Sequence, residues 1–132
     1  MNIFITGTGS GVGKTLVSAI ITEALEADYW KPIQVGLDNG KDRDIVQNLV
    51  SNNFTKFHAE RYILKFETSP HLAAAAEGIN MTVSSIYEHA RHMHTTNPNM
   101  IIEGVGGLKE PLNDNEFTLD LIKKLNASVI IV

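Results

Sequence analysis

The chain has 132 residues, 43% hydrophobic and 20% charged, with a net charge of −4 and no cysteine. That length suits one domain with one core. The composition excludes a disulfide framework, a thiolate metal site and a cysteine nucleophile, and the acidic balance argues against a general nucleic-acid binder. No apolar run approaches a membrane span, and no positive n-region precedes the first glycines, so no membrane role is expected and the cytoplasm is the expected location.

Asn2 to Thr6 reads as a short buried strand. It leads into Gly7-Thr8-Gly9-Ser10-Gly11-Val12-Gly13-Lys14-Thr15, and then into a helical pattern from Lys14 to about Ala27. That helix carries apolar residues at Leu16, Val17, Ile20, Ile21, Ala24 and Leu25. Tyr29 to Gln34 is expected as a second strand whose pairing stops at Pro32, because proline has no N–H to donate. A turn at Asn39-Gly40 follows, and then a helix from Asp42 to Val50 with Ile45, Val46 and Leu49 inward.

Ser51 to Glu60 is polar and expected to be irregular, and Tyr62 to Phe66 to be a short strand. Ser69 caps a short helix with Pro70 in its first position, running His71 to Glu77 and stopping at Gly78. Thr82 opens another helix to about Thr95. Asn99 to Glu103 is a buried strand, Gly104-Val105-Gly106-Gly107 a glycine-rich turn, Glu116 to Leu125 a helix, and Ser128 to Val132 a final buried strand. The predicted fold is α/β: a mostly parallel sheet flanked by helices on both faces, in one nucleotide-binding domain over residues 1–132.

Strand, glycine-rich loop, Gly-Lys-Thr and helix is the order of a phosphate-binding loop. Glycines let backbone N–H groups close around phosphate oxygens, and the helix start adds its positive dipole end. Lys14 can reach the β- and γ-phosphates, and the Thr15 hydroxyl can ligate Mg²⁺. The usual spacing is G-x-x-x-x-G-K-[ST]; counted from Gly7, this loop is one residue longer. The alternative is a glycine-rich turn that only joins strand to helix. The loop after the first strand, Lys31 to Gly36, and Glu103 to Gly107 are all expected at the carboxyl ends of strands, where such sheets bind ligands.

Glu103 ends an apolar strand, where an acidic residue can hold a metal ion directly or through water. Asp42 and Asp44 open a helix, where negative charge is favourable for local reasons alone, and Lys31 can equally be a solvated lysine. His89, His92 and His94 do not complete a metal set, and read as solvated helix residues.

Four segments taken together, Gly7 to Thr15, Tyr29 to Gln34, Thr68 to Gly78 and Glu103 to Gly107 with Pro111-Leu112, resemble dethiobiotin synthetase. The resemblance covers this whole chain but only roughly the first three-fifths of a family chain, which implies a C-terminally incomplete domain. It implies ring closure of 7,8-diaminononanoate with CO₂, ATP and Mg²⁺ in biotin synthesis. One amine is carbamylated, a carbamate oxygen takes the γ-phosphoryl group, and the second amine attacks the carbonyl as phosphate leaves.

The resemblance also implies roles. Lys14 and Lys31 are catalytic: Lys14 stabilises the transferring phosphoryl group and Lys31 the carbamate. Gly11, Val12 and Gly13 supply phosphate contacts, and Thr15, Asp44 and Glu103 hold Mg²⁺. Ser10, Gly104, Val105 and Gly106 approach nucleotide, while Thr8, Ser10, Lys31, Val35 and Gly107 approach the diamine. A homodimer is the implied assembly. Three positions depart from the family: Gly9 where aspartate is frequent, Ser10 where threonine is, and Val35 where Ser or Thr offers a hydroxyl. The lost hydroxyl at Val35 is worth roughly 0.5–1.5 kcal/mol of substrate binding.

Two other readings compete. A partitioning or regulatory ATPase with a deviant phosphate loop shares Gly11 to Thr15, but usually carries an extra lysine near the loop's start, which Thr8, Gly9 and Ser10 do not supply. The other is an inactive fragment that binds phosphate only.

Overall fold

The computed structural model describes residues 1–132. Its centre is a five-stranded sheet in the order β4-β2-β6-β1-β7, with every pair parallel. The strands are β1 (Asn2–Gly7), β2 (Asp28–Trp30), β4 (Phe57–His58), β6 (Met100–Gly107) and β7 (Ser128–Ile131). A separate parallel pair joins β3 (Ile33–Val35) to β5 (Tyr62–Leu64). The helices are α1 (Lys14–Leu25), α2 (Asp42–Leu49), α3 (Pro70–Ala76), α4 (Val83–Arg91) and α5 (Thr118–Lys124).

Alternation along the strands divides the core in two. Phe4, Trp30 and Ile102 face one side and pack with residues of α3, α4 and α5. Ile3, Ile5, Tyr29 and Ile101 face the other and pack with Ala19 of α1 and Val46 of α2. Helices therefore cover both faces, as expected.

Several local expectations change. The segment Tyr29 to Gln34 is two strands in two sheets, split at Pro32. The Pro32 carbonyl accepts from the N–H groups of Arg61 and Tyr62, which starts the β3–β5 pair. Within the stretch expected to be irregular, Phe57–His58 pairs with β2. Gly104 to Gly107 is the end of β6, not a turn. Gly104 is a close approach: a Cβ there would meet the Phe4 ring and lie 3.2 Å from the Ile5 carbonyl oxygen.

The inward faces of α1 and α2 also differ. On α1 the buried residues are Lys14, Ser18, Ala19 and Thr22, while Leu16 and Ile20 are exposed. Small side chains let the helix lie close to the sheet. On α2 only Val46 is buried, and Ile45 and Leu49 are exposed. α4 ends at Arg91, and α5 begins at Thr118. His89 is half-buried: its ring stacks on Trp30 at 5.8 Å.

Candidate phosphate and metal site

β1 delivers the chain into the glycine loop at the carboxyl edge of the sheet. Gly11 and Gly13 have φ of 70° and 102°, left-handed values that a side chain resists. Gly13 is the N-cap of α1 and offers no side-chain cap. None of the backbone N–H groups of residues 9–16 has a hydrogen-bond partner in the protein. A loop with this many free donors at a helix start fits an anion with several oxygens. Lys14 Nζ folds back and donates to the Gly9 carbonyl, across the loop. Burial, and then the neighbouring Lys31 charge, hold Lys14 below its ordinary pKa.

Beside the loop lies a set of linked side chains. Thr15 Oγ1 donates to Glu103 Oε1 at 2.8 Å, and Lys31 Nζ donates to the same oxygen at 3.0 Å. Tyr29 donates its hydroxyl to the other carboxylate oxygen, Oε2, at 2.8 Å. Lys31 also pairs with Asp42 Oδ2. Glu103 is 1% exposed and Lys31 4%, so this is a buried charge cluster. Burial pulls the Lys31 pKa down, but Glu103 and Asp42 outweigh it and leave the ammonium above its ordinary value. Burial, and then the charge of Glu103, push the Tyr29 phenol well up, which keeps it a donor.

Thr15, Glu103 and Asp42, each with side-chain oxygen, all line one cleft of about 680 Å³, together with Lys14 and Lys31. They are hard oxygen donors of the kind Mg²⁺ takes, so the residues present fit a nucleotide phosphate with its metal. Asp44 is not brought there. It is exposed, its carboxylate lies 3.7 Å from Arg43 Nε, and it does not line the cleft. Residues two apart on a helix point in nearly opposite directions, and Asp42 shares the inward face with Val46, four residues on. The carboxylate that this helix brings to the cleft is therefore Asp42, where the sequence reading places Asp44.

A second chamber of about 360 Å³ joins the first, sharing Ser10, Glu67, Val105 and Gly106 with it. Val35, Thr68, Ser69 and Glu110 complete its polar and apolar lining with Pro70. The residues expected at the diamine thus divide. Ser10 and Val35 line this chamber, Lys31 lines the first, and Thr8 and Gly107 line neither. Val12 and Gly104 also lie outside both, whereas Gly11, Gly13, Val105 and Gly106 line the first. Sequence reasoning missed Tyr29, Asp42, Glu67 and Glu110. A tyrosine in an apolar strand looks like core, and only helix phase could have chosen Asp42 over Asp44.

A phosphate-binding loop on a parallel α/β sheet, with a buried lysine–carboxylate cluster at its side, defines a nucleoside-phosphate-binding protein class. The chain belongs to the AAA domain family, whose model matches residues 1–132. It is similar to proteins named ATP-dependent dethiobiotin synthetase. One from Cytophaga hutchinsonii is 45% identical over 130 residues, covering 98% of this chain and 60% of the relative. One from Christiangramia forsetii is 44% identical over 128 residues, covering 97% and 59%. One from Rhodopseudomonas palustris is 40% identical over 129 residues, covering 98% and 58%. The chain spans about 60% of the length of these curated relatives. No helix is long and apolar enough to cross a membrane.

Proposed function

We propose that this protein closes the ureido ring of dethiobiotin from 7,8-diaminononanoate, CO₂ and ATP, with Mg²⁺ on the phosphates. The observation that carries the reading is the junction of two chambers at Ser10 and Gly106. One chamber has the cations and free N–H groups that suit a triphosphate. The other has the Glu67 and Glu110 carboxylates and the Ser10, Thr68 and Ser69 hydroxyls that suit a cationic diamine. The names of its relatives support the same reading.

In this scheme the loop N–H groups and Lys14 hold the phosphates, and Thr15, Glu103 and Asp42 are the residues that would hold the metal, which would supply neutralisation of phosphate charge. One amine adds to CO₂ and loses a proton, forming a carbamate. Lys31, kept charged by its carboxylates, faces the carbamate oxygen that attacks the γ-phosphorus as ADP leaves. The second amine then attacks the carbamate carbon, the ring closes, and phosphate departs. The protein contributes alignment and charge neutralisation, with no covalent bond to the substrate. A homodimer is part of the proposal: exposed Leu16, Ile20, Ile45 and Leu49 give an apolar surface beside the cleft for a second copy.

The test is incubation with diaminononanoate, bicarbonate and MgATP, with mass spectrometry of the product. The expected product carries one added carbonyl carbon bridging both nitrogens. ATP turnover of equal rate without the diamine would instead support a regulatory ATPase.

A further inference from the structure

Glu60 lies outside every motif and lines neither chamber, yet its side chain is only 2% exposed. Its Oε2 meets Arg43 Nη1 at 3.3 Å and Lys41 Nζ at 4.0 Å. Its Oε1 is buried with no hydrogen-bond partner. A buried carboxylate with an idle oxygen lowers stability unless its ion pairs do something in return. Here the two cations stand on either side of Asp42 in the chain.

The segment bearing Glu60 is fixed at its other end. Arg61 and Tyr62 N–H groups donate to the Pro32 carbonyl at 2.9 and 3.0 Å, and Pro32 directly follows Lys31. One short loop thus holds the chain neighbours of both Lys31 and Asp42. The start of α2 has little support of its own. Lys41, the N-cap, makes no side-chain cap, and Gly40 before it turns through φ 79°. Its nearest other tie is Gln34 Oε1, which accepts from the Asp42 N–H at 3.0 Å.

We infer that Glu60 is a positioning residue: it clamps Lys41 and Arg43, fixes the first turn of α2, and thereby aims Asp42 at Lys31 and at the metal-facing oxygens of Thr15 and Glu103. The inference rests on the nucleotide-and-metal reading proposed above. Glu60 touches no part of the glycine loop, so its loss weakens the metal site and leaves metal-free nucleotide binding intact.

The test measures Mn²⁺ binding, from the free-ion paramagnetic resonance signal, to the protein loaded with a non-hydrolysable ATP analogue. Parent, Glu60→Gln, Arg43→Met and the double variant are compared, with analogue affinity measured separately without metal. Each single change is expected to weaken Mn²⁺ binding about tenfold, the double change no further, and metal-free analogue binding to stay within about twofold. Arg43 is partly exposed, so Arg43→Met decides the matter if Glu60→Gln does not fold. Single variants within about twofold of the parent, or losses that multiply in the double variant, overturn the inference. A parent that binds no Mn²⁺ with the analogue overturns the functional reading itself, a result distinct from variants that match a metal-binding parent.

Discussion

Tyr29→Phe isolates one hydrogen bond in the charge cluster. The ring is fully buried and tilted against Phe57 at 6.1 Å, so phenylalanine keeps the packing. Only the hydroxyl is lost, and with it the 2.8 Å bond to Glu103 Oε2. Glu103 is itself 1% exposed, so water cannot readily replace the donor. A hydrogen bond to a charged group is worth about 1.5–3 kcal/mol. For a domain of this size that lowers the melting temperature by roughly 5–12 °C. The assay is thermal unfolding followed by circular dichroism, with urea unfolding at one temperature as a check on the free energy. The urea midpoint should fall with an unchanged slope. A melting temperature within about 1 °C of the parent would refute the claim that Tyr29 supports a buried charge at Glu103.

The remaining predictions concern the same cluster and the far end of the sheet. Lys31→Met should leave analogue binding within about threefold while abolishing ring closure; closure at the parental rate would show that Lys31 has no part in the chemistry. Asp42→Asn should weaken Mg²⁺-dependent nucleotide binding by about tenfold, and Asp44→Asn should change it less than twofold; equal effects in titration calorimetry would contradict the assignment by helix phase. At the amino end of β2, burial opposes the charge of Asp28, but bonds from Thr95, His58 and the Lys56 N–H outweigh it and hold the carboxyl below its ordinary value. Its ionised form therefore stabilises the fold fully above about pH 4, and that contribution is lost as pH falls through the lowered folded value. The stability gap between parent and Asp28→Asn should narrow in urea titrations taken from pH 7 down to pH 3; a constant gap would contradict this.

The alternation of strands and helices was legible because the apolar runs of β1, β6 and β7 are flanked by unmistakable breaks. The glycine loop was legible for the same reason. What escaped was anything set by tertiary partners. β4 has two residues, too few to show a period, and exists because β2 offers it an edge. The split at Pro32 follows from its carbonyl serving β5, which no local pattern announces. The glycines ending β6 look like a turn in sequence, but Gly104 is there to clear Phe4. Leu16 and Ile20 have helical spacing and yet face outward, since Ser18, Ala19 and Thr22 allow closer contact with the sheet. At the site, Lys14, Thr15, Lys31 and Glu103 converge, while Asp42 replaces Asp44 and Tyr29 and Glu60 were silent.

Phosphoryl transfer at the glycine loop is proposed to be coupled to a diamine in the neighbouring chamber. Phosphate release from MgATP, measured with and without 7,8-diaminononanoate in bicarbonate buffer, tests it most directly. Coupling requires release that depends on the diamine and equals dethiobiotin formed, one for one. Phosphate release that ignores the diamine, or that proceeds without ring closure, would contradict it.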